Sequence, residues 1–304
     1  MIAPYPKISV IVPTFNRHPV ICRAIDSILN QTYPNIDCLV IDDGSTDNTT
    51  QLLKDKYGSH LHIYRNESNK EKAYSRNRGV KETDAEYICF LDSDDTLTKN
   101  SIERRLYSLL SCSEFCSASF GIRLDASYNN NAIDRYCKIM KSGDTLSLDQ
   151  YLSDKKWLST NSFLISRDLM LKYGMYNEEL VNNEDVELFI RLLTRLEFRF
   201  CGTGVTRIFD DAKNRARNNF DKIIKQGTRF SEILAGNHSI NERIGKWMPS
   251  IKKEEFAELL GAFYHSRRYK EFRKMFNKGL HRDLTPKTVK FYKRYALSYL
   301  REFF

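Results

Sequence analysis

Two apolar rhythms alternate along the first hundred positions. Residues 7–13 (KISVIVP) form a short β-branched run, and Pro19 to Gln31 then repeats apolar residues at helical spacing, Val20, Ala24 and Ile28 with Ile21 and Ile25. The pattern recurs as CLVID (38–42) before a Thr/Asp-capped helix to Lys56, LHIY (61–64) before a helix near Tyr74 to Lys81, and YICFLD (87–92). Alternating units of this kind predict an α/β fold, a mostly parallel sheet flanked by helices. Beyond it the spacing predicts a helix from about Lys99 to Leu110, a strand over 115–124 and a polar, Asn/Ser-rich surface excursion over 125–147. Helices follow at about 148–155, 167–172 and 184–196, with a late strand at 205–209 (VTRIF). From Asn214 onward the pattern is helical, with aromatic and basic residues interleaved. The expected organisation is an α/β domain over 1–213 and a helical C-terminal extension over 214–304.

Composition narrows the class. The 304 residues are 41% hydrophobic and 29% charged, ordinary for a globular chain, and no apolar run approaches the ~20 residues that cross a bilayer. The start, MIAPYPKISVIVP, reads as a first strand rather than a leader, which predicts a cytoplasmic protein. Seven scattered cysteines lack the paired CxxC spacing of a zinc or redox centre, so buried reduced thiols are expected. The net charge of +9 is concentrated in the tail: from Asn241 onward there are 16 Lys+Arg against 7 Asp+Glu, while the rest of the chain is balanced. A cationic segment on a neutral domain points to an anionic surface, phospholipid or nucleic acid, as its partner.

Ligands on open α/β sheets gather at the carboxyl ends of the strands. Here those ends carry Pro13-Thr14-Phe15-Asn16, Asp42-Asp43-Gly44-Ser45 and Asp92-Ser93-Asp94-Asp95. Carboxylates crowded on one tight turn repel each other unless a cation joins them, and Mg²⁺ or Mn²⁺ is usually held by one or two carboxylates together with substrate phosphates. The last turn therefore predicts Mn²⁺ or Mg²⁺ plus a diphosphate, against the plainer role of a solvated acidic turn. A carboxylate of the Asp42-Asp43 pair can accept the N–H of a nucleobase, and Gly44 lets the backbone come close. A helix N-cap at Ser45, Thr46 or Asp47 is the plainer explanation of that segment, and it leaves both carboxylates without a purpose.

Taken in order, SVIVPTFNR (9–17), SILNQTYPN (27–35), VIDDGSTDNT (40–49), SRNRGV (75–80), AEYICFLDSDD (85–95) and NEDVELFIRL (183–192) resemble the inverting family 2 glycosyltransferases of the GT-A fold, over roughly residues 7–210. The resemblance implies a non-processive transferase moving a sugar from a nucleotide sugar, with UDP favoured, to an acceptor hydroxyl in surface polysaccharide or glycolipid assembly. Donor binding then falls in about 7–124 and the acceptor side in about 125–213. Pro13, Thr14, Phe15 and Asp43 would contact the base, and Arg76 and Asn77 would lie near the nucleotide. Asp92 and Asp94 would bind ribose and metal, with Asp95 as an alternative ligand. Asp185, in the Glu184-Asp185 pair, would be the general base that takes the acceptor proton during in-line attack. Processive relatives carry QxxRW after the base, and this chain lacks it. Past Val205 the resemblance thins: Asp211, Arg215, Arg217 and His238 are candidates for a basic or histidine cluster, without a matching motif.

Two other readings compete. Asp92-Ser93-Asp94-Asp95-Thr96 also fits the nucleophile motif of haloacid-dehalogenase-like phosphatases, with Gly143-Asp144 and Asp149 as a later acidic motif, but that leaves Asp42-Asp43 and SRNRG unused. A non-catalytic nucleotide or nucleic-acid binder is the other class, and the intact acidic motifs argue against it. For the tail, the helical spacing of aromatic and basic residues over 263–276 and 284–304 predicts docking on the inner face of a membrane, where a glycan or lipid-linked acceptor would be presented. Packing of these apolar faces on one another, or in a homodimer, is the plainer alternative.

Overall fold

The computed structural model describes residues 5–111, 117–125, 137–154, 157–209, 219–279 and 286–300. They divide into two compact units, one of residues 1–179 and 184–213, the other of 180–183 and 214–304.

In the first unit, strands β1 (Ile8–Thr14), β2 (Ile36–Asp42), β3 (His62–Arg65) and β4 (Tyr87–Phe90) lie in the order 3-2-1-4 with every pair parallel. All seven residues of β1 are buried, as expected of a parallel strand covered on both faces. Helix α1 (Ile21–Leu29) buries Ile21, Ala24, Ile25 and Ile28, the i, i+3, i+4, i+7 stripe seen in the sequence. Helices α2 (Thr49–Tyr57) and α3 (Glu71–Glu82) complete the crossovers. Gly79 sits where α3 meets β1: a methyl group there would collide with the Ile11 side chain, so glycine sets how closely the helix approaches the sheet.

Past β4 the pairing changes. Strands β5 (Thr96–Leu97), β6 (Ala118–Asp125), β7 (Thr145–Leu146), β8 (Phe163–Ser166) and β9 (Phe198–Ile208) extend the order as 4-8-6-9-5, with β7 on β9. Only β6–β9 is parallel there; β4–β8, β6–β8, β5–β9 and β7–β9 are antiparallel. The sheet is thus mixed rather than mostly parallel, because apolar periodicity marks a strand without naming its partner, and β8 reaches β4 from more than seventy residues away. Helices α4 (Ser101–Leu110), α5 (Leu148–Ser153), α6 (Arg167–Tyr173) and α7 (Glu184–Leu193) complete this unit. Phe163 packs edge-to-face on Phe189 and tilted on Phe90 and Phe198, which seats α7 against the sheet. Of the polar excursion expected over 125–147, residues 126–136 lie outside the described residues, and its end forms strand β7.

The second unit is helical: α8 (Phe220–Gln226), α9 (Arg229–Gly236), α10 (His238–Ile244), α11 (Met248–His265), α12 (Tyr269–Gly279) and α13 (Pro286–Leu300). Its core is Leu260, Tyr264, Tyr269, Phe272, Phe276 and Phe291, with Phe263, Met275 and Tyr292 packed against it. The aromatic residues expected at a lipid boundary over 263–276 are therefore mostly spent inside: Phe272 is 0% exposed and Phe276 2%. Apolar faces that meet each other lose the same water-exposed area they would lose to lipid, without needing a second phase. Among the described residues no helix is long and apolar enough to cross a membrane.

Candidate active site

The carboxyl ends of β1 and β2 are laced together by polar groups of the loops that follow them. Beyond β1, Asn16 adopts φ 52° and its Oδ1 accepts from the backbone N–H of Thr46 at 2.7 Å, while its own N–H donates to Ser45 Oγ at 3.0 Å. Asp43 N–H donates to Thr14 O at 2.8 Å. Gly44, at φ 79°, lets this loop run against residue 68, where an added Cβ would lie 2.9 Å from the Ser68 carbonyl carbon. Pro13 and Thr14 are buried at the strand end, and the Phe15 ring is 38% exposed beside them.

The two carboxylates of Asp42-Asp43 have separate roles. Asp42 is fully buried, accepting from Ser45 N–H at 2.9 Å and from the Thr50 hydroxyl, with Arg65 Nη1 3.4 Å away. It is a structural brace, which the strand-end pattern alone does not distinguish from Asp43; only the family resemblance singled out the latter. Asp43 accepts from Asn66 Nδ2 at 2.7 Å and Lys70 N–H at 2.9 Å, both on Oδ1, and among the described residues Oδ2 takes no hydrogen bond. The same Asn66 amide donates to Ser75 Oγ at 3.1 Å, tying this carboxylate to α3.

Helix α3 connects the remaining acids. Arg76, 2% exposed, donates from Nη2 to Asp92 Oδ1 at 2.7 Å and from Nη1 to Glu184 Oε1 at 3.0 Å, with its guanidinium 5.1 Å from the Tyr176 ring centroid. Lys72, one turn earlier on the same face, reaches Glu184 Oε1 at 2.7 Å. Asn77 accepts from Tyr176 N–H at 2.9 Å and donates to Tyr176 O and Glu178 Oε1, so the residue expected near the nucleotide is a buried clamp on the 176–178 segment.

Electrostatics divides the acids further. Desolvation works against the Asp92 charge, but the Arg76 guanidinium and the Lys72 ammonium outweigh it and hold the carboxyl below the usual range. Asp185, which begins α7 beside Glu184, goes the other way: burial first and the Glu184 charge second push it up, partly offset by Lys72 and Arg76. A partly buried carboxyl with a raised pKa is suited to accept a proton.

The acidic turn 92–95 is closed by one internal hydrogen bond and held by three residues outside it. Asp95 N–H donates to Asp92 O at 3.0 Å, and Arg23 Nη2 donates to Asp94 O at 2.6 Å while its guanidinium stacks 3.7 Å over the Phe209 ring. Asn161 Oδ1 accepts from Asp92 N–H at 2.9 Å and its Nδ2 donates to Asp95 Oδ2 at 2.7 Å. Phe209 N–H donates to Asp95 Oδ1 at 3.1 Å. Asp95, expected as an alternative metal ligand, is only 4% exposed and has both oxygens hydrogen-bonded. Asp92, with a side chain 40% exposed, and Asp94, partly exposed, are the accessible acids of the turn. Hard oxygen donors of this kind fit Mg²⁺ or Mn²⁺ held jointly with a substrate diphosphate. Among the described residues no three His, Cys, Asp or Glu side chains form a metal-holding cluster by themselves.

Sequence reasoning did not single out Lys72, Asn161 or Tyr176. Lys72 lies just before the helix expected from about Tyr74 to Lys81, and the observed α3 starts earlier and includes it, four positions before Arg76; Asn161 precedes a strand whose residues the pattern did not flag. Asp211, Arg215 and Arg217 lie outside the described residues, and His238 is an exposed residue at the start of α10 in the other unit. Asp144 accepts from Lys141 N–H at 2.7 Å and so braces its own turn.

Comparison with known proteins gives a consistent result. The model of the family described as "Glycosyl transferase family 2" matches residues 9–170, just over half of the chain. A Campylobacter jejuni protein named GalNAc(5)-diNAcBac-PP-undecaprenol beta-1,3-glucosyltransferase is 29% identical over 202 residues, covering 64% of this chain and 62% of that one. The matched segment spans only 14–17% of the length of the first three curated relatives, all from Rickettsia. Among solved structures, S. aureus TarS 1–349 in complex with UDP-GlcNAc superposes with a TM-score of 0.58 at 18% identity, over 96% of this chain and 90% of that one. Mannosyltransferase PcManGT from Pyrobaculum calidifontis, in complex with GDP-Man and Mn²⁺, gives 0.59 at 13% identity, over 98% and 81%. At these identities the likeness is one of fold.

Proposed function

The chain belongs to glycosyl transferase family 2, and from that premise we propose that it is an inverting, non-processive, metal-dependent transferase that moves a sugar from a UDP-sugar to an acceptor hydroxyl on a lipid-linked glycan. The observation that carries this reading is the arrangement around α3, where Arg76 joins the strand-end acid Asp92 to Glu184, next to Asp185. The bound molecule of the TarS complex supports a uridine donor, and the undecaprenol-linked substrate in the C. jejuni name supports the acceptor class.

In this mechanism Asp43 Oδ2 accepts the imide N–H of the base, Phe15 covers the base, and the Pro13-Thr14 backbone forms the floor. Asp92, kept ionised by Arg76, accepts from the ribose or approaches the diphosphate. A divalent cation held through Asp94, with Asp92 at hand, would supply charge neutralisation at the departing diphosphate. Asp185 accepts the acceptor's hydroxyl proton as that oxygen bonds to the anomeric carbon. The bond from that carbon to the diphosphate breaks, nucleoside diphosphate leaves, and configuration inverts. Asn77 acts one step back, holding the Tyr176 segment against Arg76.

The second unit is assigned to peripheral association with an anionic membrane surface, through exposed Arg267, Arg268, Lys270, Lys274 and Lys278 rather than through its buried aromatics. Each cation near such a surface contributes about 1 kcal/mol. Titration calorimetry with UDP, GDP and CDP in Mn²⁺ tests the donor reading. UDP binding that fails in Asp43→Ala supports it, and equal affinity for all three nucleotides removes the uridine assignment.

A further inference from the structure

The geometry points to Asn161 and Asp95 as a paired positioning device for the acidic turn, with Asp95 serving as a clamp and not as a metal ligand. Asn161 is 3% exposed, lies in the turn 160–162 before β8, and makes two bonds that together fix the turn at both ends. Its Oδ1 accepts the backbone N–H of Asp92, and its Nδ2 donates to Asp95 Oδ2. The other Asp95 oxygen accepts from Phe209 N–H, at the end of β9. A side chain with one acceptor and one donor thus spans residues 92 and 95, and a side chain with two acceptors passes the connection on to a second strand. Asp94 lies between these fixed points, with its carbonyl held by Arg23. Its carboxylate is therefore presented by a backbone that four hydrogen bonds hold against sliding along the strand axis.

The donor and acceptor pattern makes this testable by exchange. In Asn161→Asp alone, two carboxylates face each other where an amide met a carboxylate. In Asp95→Asn alone, an amide meets an amide, and either orientation loses the bond to Asn161 or the bond to Phe209. In the double variant all three bonds return: the carboxylate at 161 accepts from Asp92 N–H and from the new amide at 95, whose oxygen still accepts from Phe209 N–H. Net charge is unchanged. A carboxylate needed at 95 as a metal ligand is not restored by this exchange.

The inference rests on the donor-site reading above, and the experiment separates the two. Wild type, both single variants and the double variant are titrated with UDP in Mn²⁺ by calorimetry, and amide hydrogen exchange of the peptide spanning 91–97 is followed without ligand. Supporting residues behind metal ligands typically alter affinity about 10- to 100-fold. Each single variant is expected to weaken UDP–Mn²⁺ binding within that range and to speed exchange in the peptide, and the double variant to recover both. Unchanged single variants, or a double variant no better than Asp95→Asn, would overturn the clamp. If wild type binds no nucleoside diphosphate, the proposed function fails; the exchange data still decide whether the pair holds the turn.

Discussion

Arg76 Nη1 lies 3.0 Å from Glu184 Oε1, and the two side chains are 3% and 1% exposed. An ion pair this deeply buried, 108 positions apart in sequence, fixes the start of α7 against the middle of α3. The Arg76 contact to Asp92 extends the connection to the acidic turn, so one guanidinium sets the spacing between the proposed donor site and the proposed base.

Removing one partner of a buried pair leaves an uncompensated charge, which typically costs about 3–5 kcal/mol. Glu184→Leu, which takes the carboxylate from Lys72 and leaves Arg76 paired with Asp92 alone, is expected to lose stability approaching that scale in urea unfolding. A loss below about 1 kcal/mol would place the pair among the weak surface type. Asp92 adds a pH signature. Its folded carboxyl titrates below the unfolded value of about 3.9, so its contribution is complete at neutral pH and fades as pH falls through the depressed value. Asp92→Asn should flatten the acid limb of the stability profile.

Asp185→Asn is expected to cost about 10²- to 10⁴-fold in kcat while leaving UDP affinity close to wild type. The base works only when ionised, so turnover falls as pH drops below its pKa, and burial with the Glu184 charge moves that limb above the ordinary carboxylate position. Lys72→Met removes a stabilising cation and should move the limb higher still. A pH–rate profile with its limb unmoved in Lys72→Met would remove Lys72 from the account.

The sheet's first half was legible because buried parallel strands read as β-branched runs and α1 as an apolar stripe. Strand β8 was not, since FLIS follows a polar segment and its role comes from the β4 and β6 edges it pairs with. The motif residues Asp43, Arg76, Asp92 and Asp185 were named from sequence alone. Their separate roles came only with the family resemblance: the strand-end pattern by itself leaves Asp42 and Asp43 alike, and they differ in the partners each side chain meets. Asp95 and Asn77 likewise show their brace-like roles only once Asn161 and Tyr176 are brought beside them from far along the chain.

Gly79→Ala should destabilise by about 1–3 kcal/mol, the usual cost of overpacking, since the new methyl group meets Ile11. Because α3 carries Arg76, the same variant is expected to weaken UDP binding, measured by calorimetry on protein shown folded by circular dichroism. Wild-type stability would mean that α3 can lift from β1 freely.

Membrane association is better tested by charge than by truncation. Glu255 in α11 accepts from the backbone N–H groups of Phe230 and Ser231, so cutting after residue 240 would strip α9 of its partner. Replacing Arg267, Arg268, Lys270, Lys274 and Lys278 with glutamate is expected to abolish sedimentation with phosphatidylglycerol vesicles at low salt, with the fold intact. Binding that survives the substitutions, or that is insensitive to salt, would contradict an electrostatic surface contact.

The most direct test of the central claim is transfer of labelled sugar from UDP-sugars to a polyprenyl-diphosphate-linked acceptor, with Mn²⁺, with excess chelator, and with Asp94→Ala. The account predicts inverted product with one UDP-sugar in Mn²⁺, none in chelator, and strongly reduced product in the variant, which still folds. Undiminished transfer in chelator by metal-free protein, or full activity of Asp94→Ala, would contradict it.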